Sequence, residues 1–290
     1  MALMLVCGAL LAVGVAFTLL WSDERLLAPD GRLAPTAPGV GPAGASARVA
    51  ALRLYAWWAS VLTVAGVATG ILIAGAGGRL AMRLLAVTSP QSTGRLTEGD
   101  ATIGRITLEG TVALLVFGAL PLALGSAALY LLVAPWLPAG RAAGPVFGGL
   151  LLVTIAPFAD PLRADNIDFG RLGPGWLSVL VLGGLTVLQG AAVAACAGRL
   201  SRSLPLLSRS SLPAAVPPIV LALLLVPLGL LLAAAAAVVA LLPRLLPWLL
   251  TMRASRPAVV VGRALLAVAV LVALPSCIAA VTSIVTASPR

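Results

Sequence analysis

The amino-acid sequence predicts an all-α protein, a polytopic helical membrane bundle of about seven transmembrane helices. Three observations carry this expectation. Of 290 residues, 61% are hydrophobic and only 10% are charged, whereas roughly a quarter of the residues of a soluble domain are charged. The mean hydropathy is +1.11. The apolar residues also fall into runs that reach or approach the ~20 residues a helix needs to cross a bilayer.

These runs occupy residues 2–21, 55–77, 110–134, 143–159, 175–198, 216–242 and 264–286. Residues 1–21 read as a transmembrane helix or an uncleaved signal anchor, because no basic residue precedes the run and Trp21-Ser22-Asp23-Glu24 offers no small-residue cleavage site. Residues 22–54 read as a linker rich in Ala, Pro and Gly, with too little bulky apolar surface to build a core and therefore expected to be disordered. Residues 55–290 are then a six-helix membrane domain carrying two polar loops, 78–109 and 160–174.

Within that domain, small residues recur every fourth position at Gly66, Gly70, Ala74 and Gly78. Such a stripe lies on one helical face and permits close backbone approach, so it reads as a packing surface within the bundle or between two copies. The run at 143–159 is the weakest: its core, Val146 to Phe158, is short and glycine-rich, which suits either a tilted span or a re-entrant segment. Gly190, Ala194 and Gly198 repeat the small-residue pattern on the next run. Beside them stands Gln189, the only carboxamide inside a span, expected to form an interhelical hydrogen bond ahead of any role as a substrate ligand. Residues 243–263, where Pro-Arg-Leu-Leu-Pro-Trp-Leu-Leu precedes three further arginines, read as an interfacial segment.

Alternation of spans puts the two polar loops on the same side of the membrane. The first opens on Arg79 and Arg83, four apart on one face of a helix end, where they suit lipid phosphates or a specific anionic headgroup and complement the helix dipole. It continues through Arg95, Glu98, Asp100, Arg105 and Glu109 in a partly alternating, glycine-punctuated stretch that suits a short hairpin or compact loop. The second loop gathers Asp160, Asp165, Asn166 and Asp168. Their spacing fits neither an EF-hand nor a DDxxD pair, so no metal site is assigned. Pairing of these carboxylates with Arg79, Arg83 or Arg95 would join the loops into one polar cap.

What is missing restricts the chemistry. All 19 basic residues are Arg, and the chain has neither Lys nor His. A Walker A phosphate cradle, a Schiff-base lysine, an HExxH zinc site and an imidazole base are therefore excluded, and no catalytic residue or cofactor is assigned. Cys7, Cys196 and Cys277 are dispersed in apolar runs and suit packing rather than a disulfide framework. The formal charge of +10 is spread along the loops, which points to the lipid bilayer as partner and not to nucleic acid. No Asp or Glu falls inside a span, which argues against an ion-coupled carrier.

Gly-Gly-Arg-Leu-Ala-Met-Arg-Leu-Leu-Ala at 77–86, Ile-Gly-Arg-Ile-Thr-Leu-Glu-Gly-Thr at 103–111 and Ile-Asp-Phe-Gly-Arg-Leu-Gly-Pro-Gly-Trp-Leu at 167–177 resemble an uncharacterised family of multi-pass integral membrane proteins from actinobacteria. The resemblance covers about residues 55–190 and has no diagnostic catalytic motif. It implies a multi-pass protein of the bacterial cytoplasmic membrane and assigns no activity. The Ala, Gly, Arg and Pro bias without Lys agrees with a high-GC genome.

Alternating the seven runs divides the arginines nine against ten, so the positive-inside rule does not choose an orientation. Three functional readings remain. The first is a non-catalytic protein that packs with itself or a membrane partner and presents the polar cap. The second is a pore or transporter for a small or lipidic solute, lined by Thr63, Thr69, Ser126, Thr154, Ser178, Thr186 and Gln189 if these converge. The third is an enzyme on a lipid-linked substrate, with arginines holding phosphate and an Asp as base.

Overall fold

The structure, a computed structural model, describes residues 2–27, 44–98, 102–105, 107–159, 161–163, 165–204 and 226–287. Its described part is a bundle of α-helices: α1 (Ala2–Leu20), α2 (Gly44–Thr69), α3 (Ala76–Val87), α4 (Leu108–Ala113), α5 (Leu120–Val133), α6 (Ala143–Thr154), α7 (Gly175–Ser203), α8 (Val226–Leu241), α9 (Leu245–Ala254) and α10 (Arg256–Thr286). Five helices are long and apolar enough to span a membrane: α1, the continuous Ala47–Val87 rod, Leu108–Trp136, α7 and α10. The pair α8 and α9, bent by 99°, makes a sixth if it is one span.

The difference from about seven lies in the run at 143–159. Its helix, α6, has 12 residues and rises only about 18 Å, short of a ~30 Å hydrocarbon core. The expected 22–54 linker is also shorter than its composition suggests. The Ala, Leu and Arg residues that precede Tyr55 are good helix formers, and α2 accordingly starts at Gly44. The remaining linker residues, 28–43, and the 216–225 part of the sixth run lie outside the described residues.

Two segments depart from α-helical winding. Gly70–Gly75 and Leu114–Ala119 are π-helical turns, joining α2 to α3 and α4 to α5. They pack on one another: a Cβ on Gly75 would lie 3.0 Å from Leu115 Cδ1 and 3.8 Å from the Ala119 Cβ. Each π turn carries an extra residue, so the packing face slips by one position. Gly66 and Gly70 meet Leu124, Leu120 and Ala123 of α5, and Gly75 continues the close approach on the π turn. Gly78 makes only an ordinary contact with Leu114.

The rod α2–α3 and α7 form the centre, with α5 and α6 packed against α7, α1 laid over α3 and α7, and α10 against α6 and α7. The densest core lies where Trp57, Val61, Tyr130, Phe147 and Val193 bury, with the Tyr130 and Phe147 rings edge to face at 5.2 Å. Between α6 and α7 the backbones nearly touch, since a Cβ on Gly190 would lie 2.4 Å from Gly148 Cα and one on Gly144 would lie 3.0 Å from Ala191 Cα. Association in lipid rests on such packing, because burial from lipid gains little hydrophobic free energy.

Candidate functional site: a polar cap over one end of the bundle

The connections 88–107 and 155–174 lie at one end of the bundle and are joined to each other. Ser89, fully buried, holds the first contact: its Oγ accepts from Gly173 N at 2.6 Å and donates to Gly173 O at 3.2 Å. Gly173 has φ +95°, a conformation that favours glycine, and a Cβ there would crowd Ser178 Oγ at 2.7 Å. Ser92 Oγ donates to Arg171 O, and Arg171 Nη1 donates to Leu96 O at 2.6 Å. Further out, Glu98 N donates to Asp168 Oδ1 at 2.9 Å, and Arg163 forms an ion pair with Glu98. Leu85, Ala86, Ile103 and Leu172 bury together beneath this network.

Local sequence explains why the strands of the cap hold their shape. Gly94 and Gly104 take positive φ, +88° and +85°, and between them Leu96 and Thr102 form an antiparallel bridge with Ile103 N donating to Arg95 O at 2.8 Å. The expected hairpin-like loop is thus real, although confined to one bridge. In the second loop Asn166 Oδ1 accepts from Asp168 N at 2.8 Å and caps the 3₁₀ turn Ile167–Gly170.

An ion pair beyond those expected from the sequence joins the two loops. The bridging ion pair takes its cation, Arg163, from the second loop and its anion, Glu98, from the first. Asp165 pairs within its own loop, with Arg163 at 2.9 Å. Arg83 Nη1 donates to Gly104 O at 3.3 Å, and Arg105 is exposed. Arg79 is buried in α3, since the helix runs on to Val87 and the polar loop begins later than residue 78. Asp100 and Asp160 lie outside the described residues. Ser89, Ser92, Arg163 and Arg171 were not singled out from the sequence; their only signal is the Ser89-Pro90 step and the Gly-Arg-Leu-Gly-Pro-Gly run at 170–175.

Reversing Glu98 to Arg is expected to lower the unfolding temperature in detergent, and adding Arg163→Glu is expected to restore part of the loss. The pair is half-exposed, so the coupling expected is about 0.5–1 kcal/mol. Strict additivity of the two changes would show that the cap does not depend on this pair.

Inside the bundle, Gln189 Nε2 donates to Thr69 Oγ1 at 2.9 Å, immediately before the first π turn, and Thr69 Oγ1 donates to Ala65 O at 2.8 Å. Three of the other span hydroxyls stay on their own helices. Ser126 bonds to Ala123 O, Thr154 to Leu150 O and Thr186 to Leu182 O, each on its own helix. A small crevice of about 20 Å³ between α1, α2, the first π turn and α7 is lined mainly by apolar groups, including Gly14, Phe17, Ile73, Ala192 and Cys196. Its Thr18 hydroxyl is spent on Gly14 O at 2.7 Å.

The opposite end of the bundle is closed by cations and indoles. Arg253 Nη1 donates to Leu131 O at the end of α5, its guanidinium stands 5.2 Å from the Trp58 ring, and Trp136 Nε1 donates back to Arg253 O at 3.2 Å. Arg263 Nε donates to Trp136 O at 3.2 Å. Glu24 pairs with Arg202 at 2.7 Å and Arg199 at 3.4 Å, while Asp23 pairs with Arg141 at 2.8 Å. Comparison with protein-family models, curated proteins and solved structures finds no match for the chain.

Proposed function

We propose that this chain is a non-catalytic protein of a bacterial cytoplasmic membrane that packs with itself or a membrane partner and presents its polar cap outside as a docking surface. The observation that carries the reading is the cross-loop network itself. Ser89, Ser92, Glu98, Arg163, Asp168 and Arg171 bond from one loop to the other, through backbone groups or each other, which rigidifies a surface. A catalytic reading would favour a carboxylate held beside an open groove. The bonding of Ser126, Thr154 and Thr186 to carbonyls of their own helices counts against a polar solute path through those three positions.

The distribution of charge between the two ends supports this orientation. The contacts of Trp136 with Arg253 and Arg263 bring the 253–263 segment to the end that also carries Arg25, Arg141, Arg199 and Arg202. That end, with Arg48 and Arg53 leading into α2, is richer in arginine than the cap end, which carries Arg79, Arg83, Arg95, Arg105, Arg163 and Arg171. By the positive-inside rule this imbalance favours the cap as the outer face.

The test uses single cysteines in a background with Cys7, Cys196 and Cys277 replaced. Ile167→Cys, on the exposed face of the cap, is expected to react with a membrane-impermeant thiol reagent on intact cells. Ala142→Cys, at the opposite end, is expected to react only after lysis. A photo-cross-linker at Ile167, exposed on the cap, is expected to give one discrete adduct with a second copy or one partner. Inverted labelling would overturn the orientation, and a cross-linker that reaches only lipid would overturn the docking role.

A further inference from the structure

Arg79 is 93% buried, with 7% relative exposure, and among the described residues no acceptor is bonded to it; its Nε is buried without a partner. The guanidinium reaches the first turn of α4, where a Cβ on Gly110 would lie 3.1 Å from Nη2, so glycine at this position makes the room it occupies. On another side α1 packs along α3. Arg79 therefore stands where α1, α3 and α4 come together, about 12 Å below the end of α3 at Val87. A buried guanidinium without a counter-charge is costly, and intramembrane arginines are ordinarily paired.

The surroundings identify what would supply the missing charge. Arg83, one turn further along α3, is exposed with one donor on Gly104 O, and Arg105 follows immediately after that residue. The nearby carboxylate, Glu109, is exposed on α4 and forms no ion pair with Arg79. Leu5 and Val6 on α1 and Leu108 and Val112 on α4 are exposed apolar side chains. One buried cation, two exposed cations and an apolar flank match the head and tail of a lipid.

We propose that Arg79, assisted by Arg83 and Arg105, binds a phosphate-bearing anion, supplied by a phospholipid headgroup entering between α1 and α4 or by free phosphate. The guanidinium would donate to phosphate oxygens, the pairing for which its planar fork is suited. This site is independent of the docking role of the cap.

The experiment measures thermal unfolding of the purified full chain in uncharged detergent with four additives: dioleoyl phosphatidylglycerol, dioleoylglycerol with the same chains but no phosphate, inorganic phosphate, and none. Phosphatidylglycerol is expected to raise the unfolding temperature by several degrees and dioleoylglycerol to leave it unchanged. Inorganic phosphate acting as well as the lipid would assign free phosphate as the source, while response to the lipid alone would assign the headgroup. Arg79→Gln is expected to weaken the response at least tenfold in concentration. Equal stabilisation by dioleoylglycerol, or an undiminished response in Arg79→Gln, would overturn the proposal. If Arg79→Gln does not fold, the exposed double variant Arg83→Gln, Arg105→Gln is expected to weaken the response severalfold, and an unchanged response overturns the site. Glu109→Gln is expected to strengthen it by removing a competing charge; a loss would mark Glu109 as the counter-ion of Arg79 and end the proposal.

Discussion

Substituting Gly148 by alanine is expected to separate α6 from α7 and to cost about 3 kcal/mol or more, the upper range for overpacking a tight interior. The added Cβ would stand 2.3 Å from Val187 O and 2.7 Å from Val187 Cα. Both are backbone atoms, which cannot turn aside as a side chain can. Gly190→Ala is expected to do the same from the other helix, because its Cβ would meet Gly148 Cα at 2.4 Å. Gly149 is the internal control: a Cβ there meets nothing within 4 Å, and alanine is a better helix former than glycine by roughly 1 kcal/mol. Thermal unfolding in detergent should find Gly149→Ala neutral or stabilised. If Gly148→Ala behaves like Gly149→Ala, the close approach of these helices is wrong.

The second large effect is expected at Arg253. Changing it to Gln removes charge-assisted donation to Leu131 O and the stacking of a cation over Trp58. Hydrogen bonds to charged groups contribute roughly 1.5–3 kcal/mol and a partly desolvated cation–π contact about 1–2 kcal/mol. A net loss of about 2–3 kcal/mol is expected, together with release of the α9–α10 corner from the end of α5. Proteolysis of the detergent-solubilised protein should then open near residues 253–256. Arg244→Gln is the matched control, because Arg244 is exposed at the turn between α8 and α9. Equal protease resistance in both variants would show that the lock does not hold the corner.

Much of the bundle is legible in the sequence because a membrane span depends chiefly on composition. The helices α1 and α7 coincide closely with their apolar runs, whereas α10 begins at Arg256, eight residues ahead of its run and within the stretch expected to be interfacial. The π turns are not legible. A slip of one residue depends on two helices meeting face to face, and Gly70, Gly75 and Gly118 equally suit an uninterrupted helix. The tight contact of α6 did leave a trace, Gly144 and Gly148 spaced four apart, but the brevity of that run drew attention to its membrane crossing and away from its packing face.

The cap was legible in outline, since intervening elements return the chain to the same end. Its partners were not. Whether Glu98 finds Arg163 or another cation depends on side-chain reach in three dimensions, and spacing along the chain does not contain that information. Gln189 was read as an interhelical donor because an amide in an apolar run needs a partner; that the partner is Thr69, beside a π turn, follows from the register between α2 and α7.

Composition alone determined that this is a helical membrane protein without lysine or histidine chemistry, because hydropathy and residue inventory are additive along the chain. Tertiary structure alone decided where the arginines of 253–263 lie, which glycines touch and which loop supplies each charge. Those are relations between segments distant in sequence, and they are set by packing geometry, where a few tenths of an ångström between backbones separates a fit from a clash.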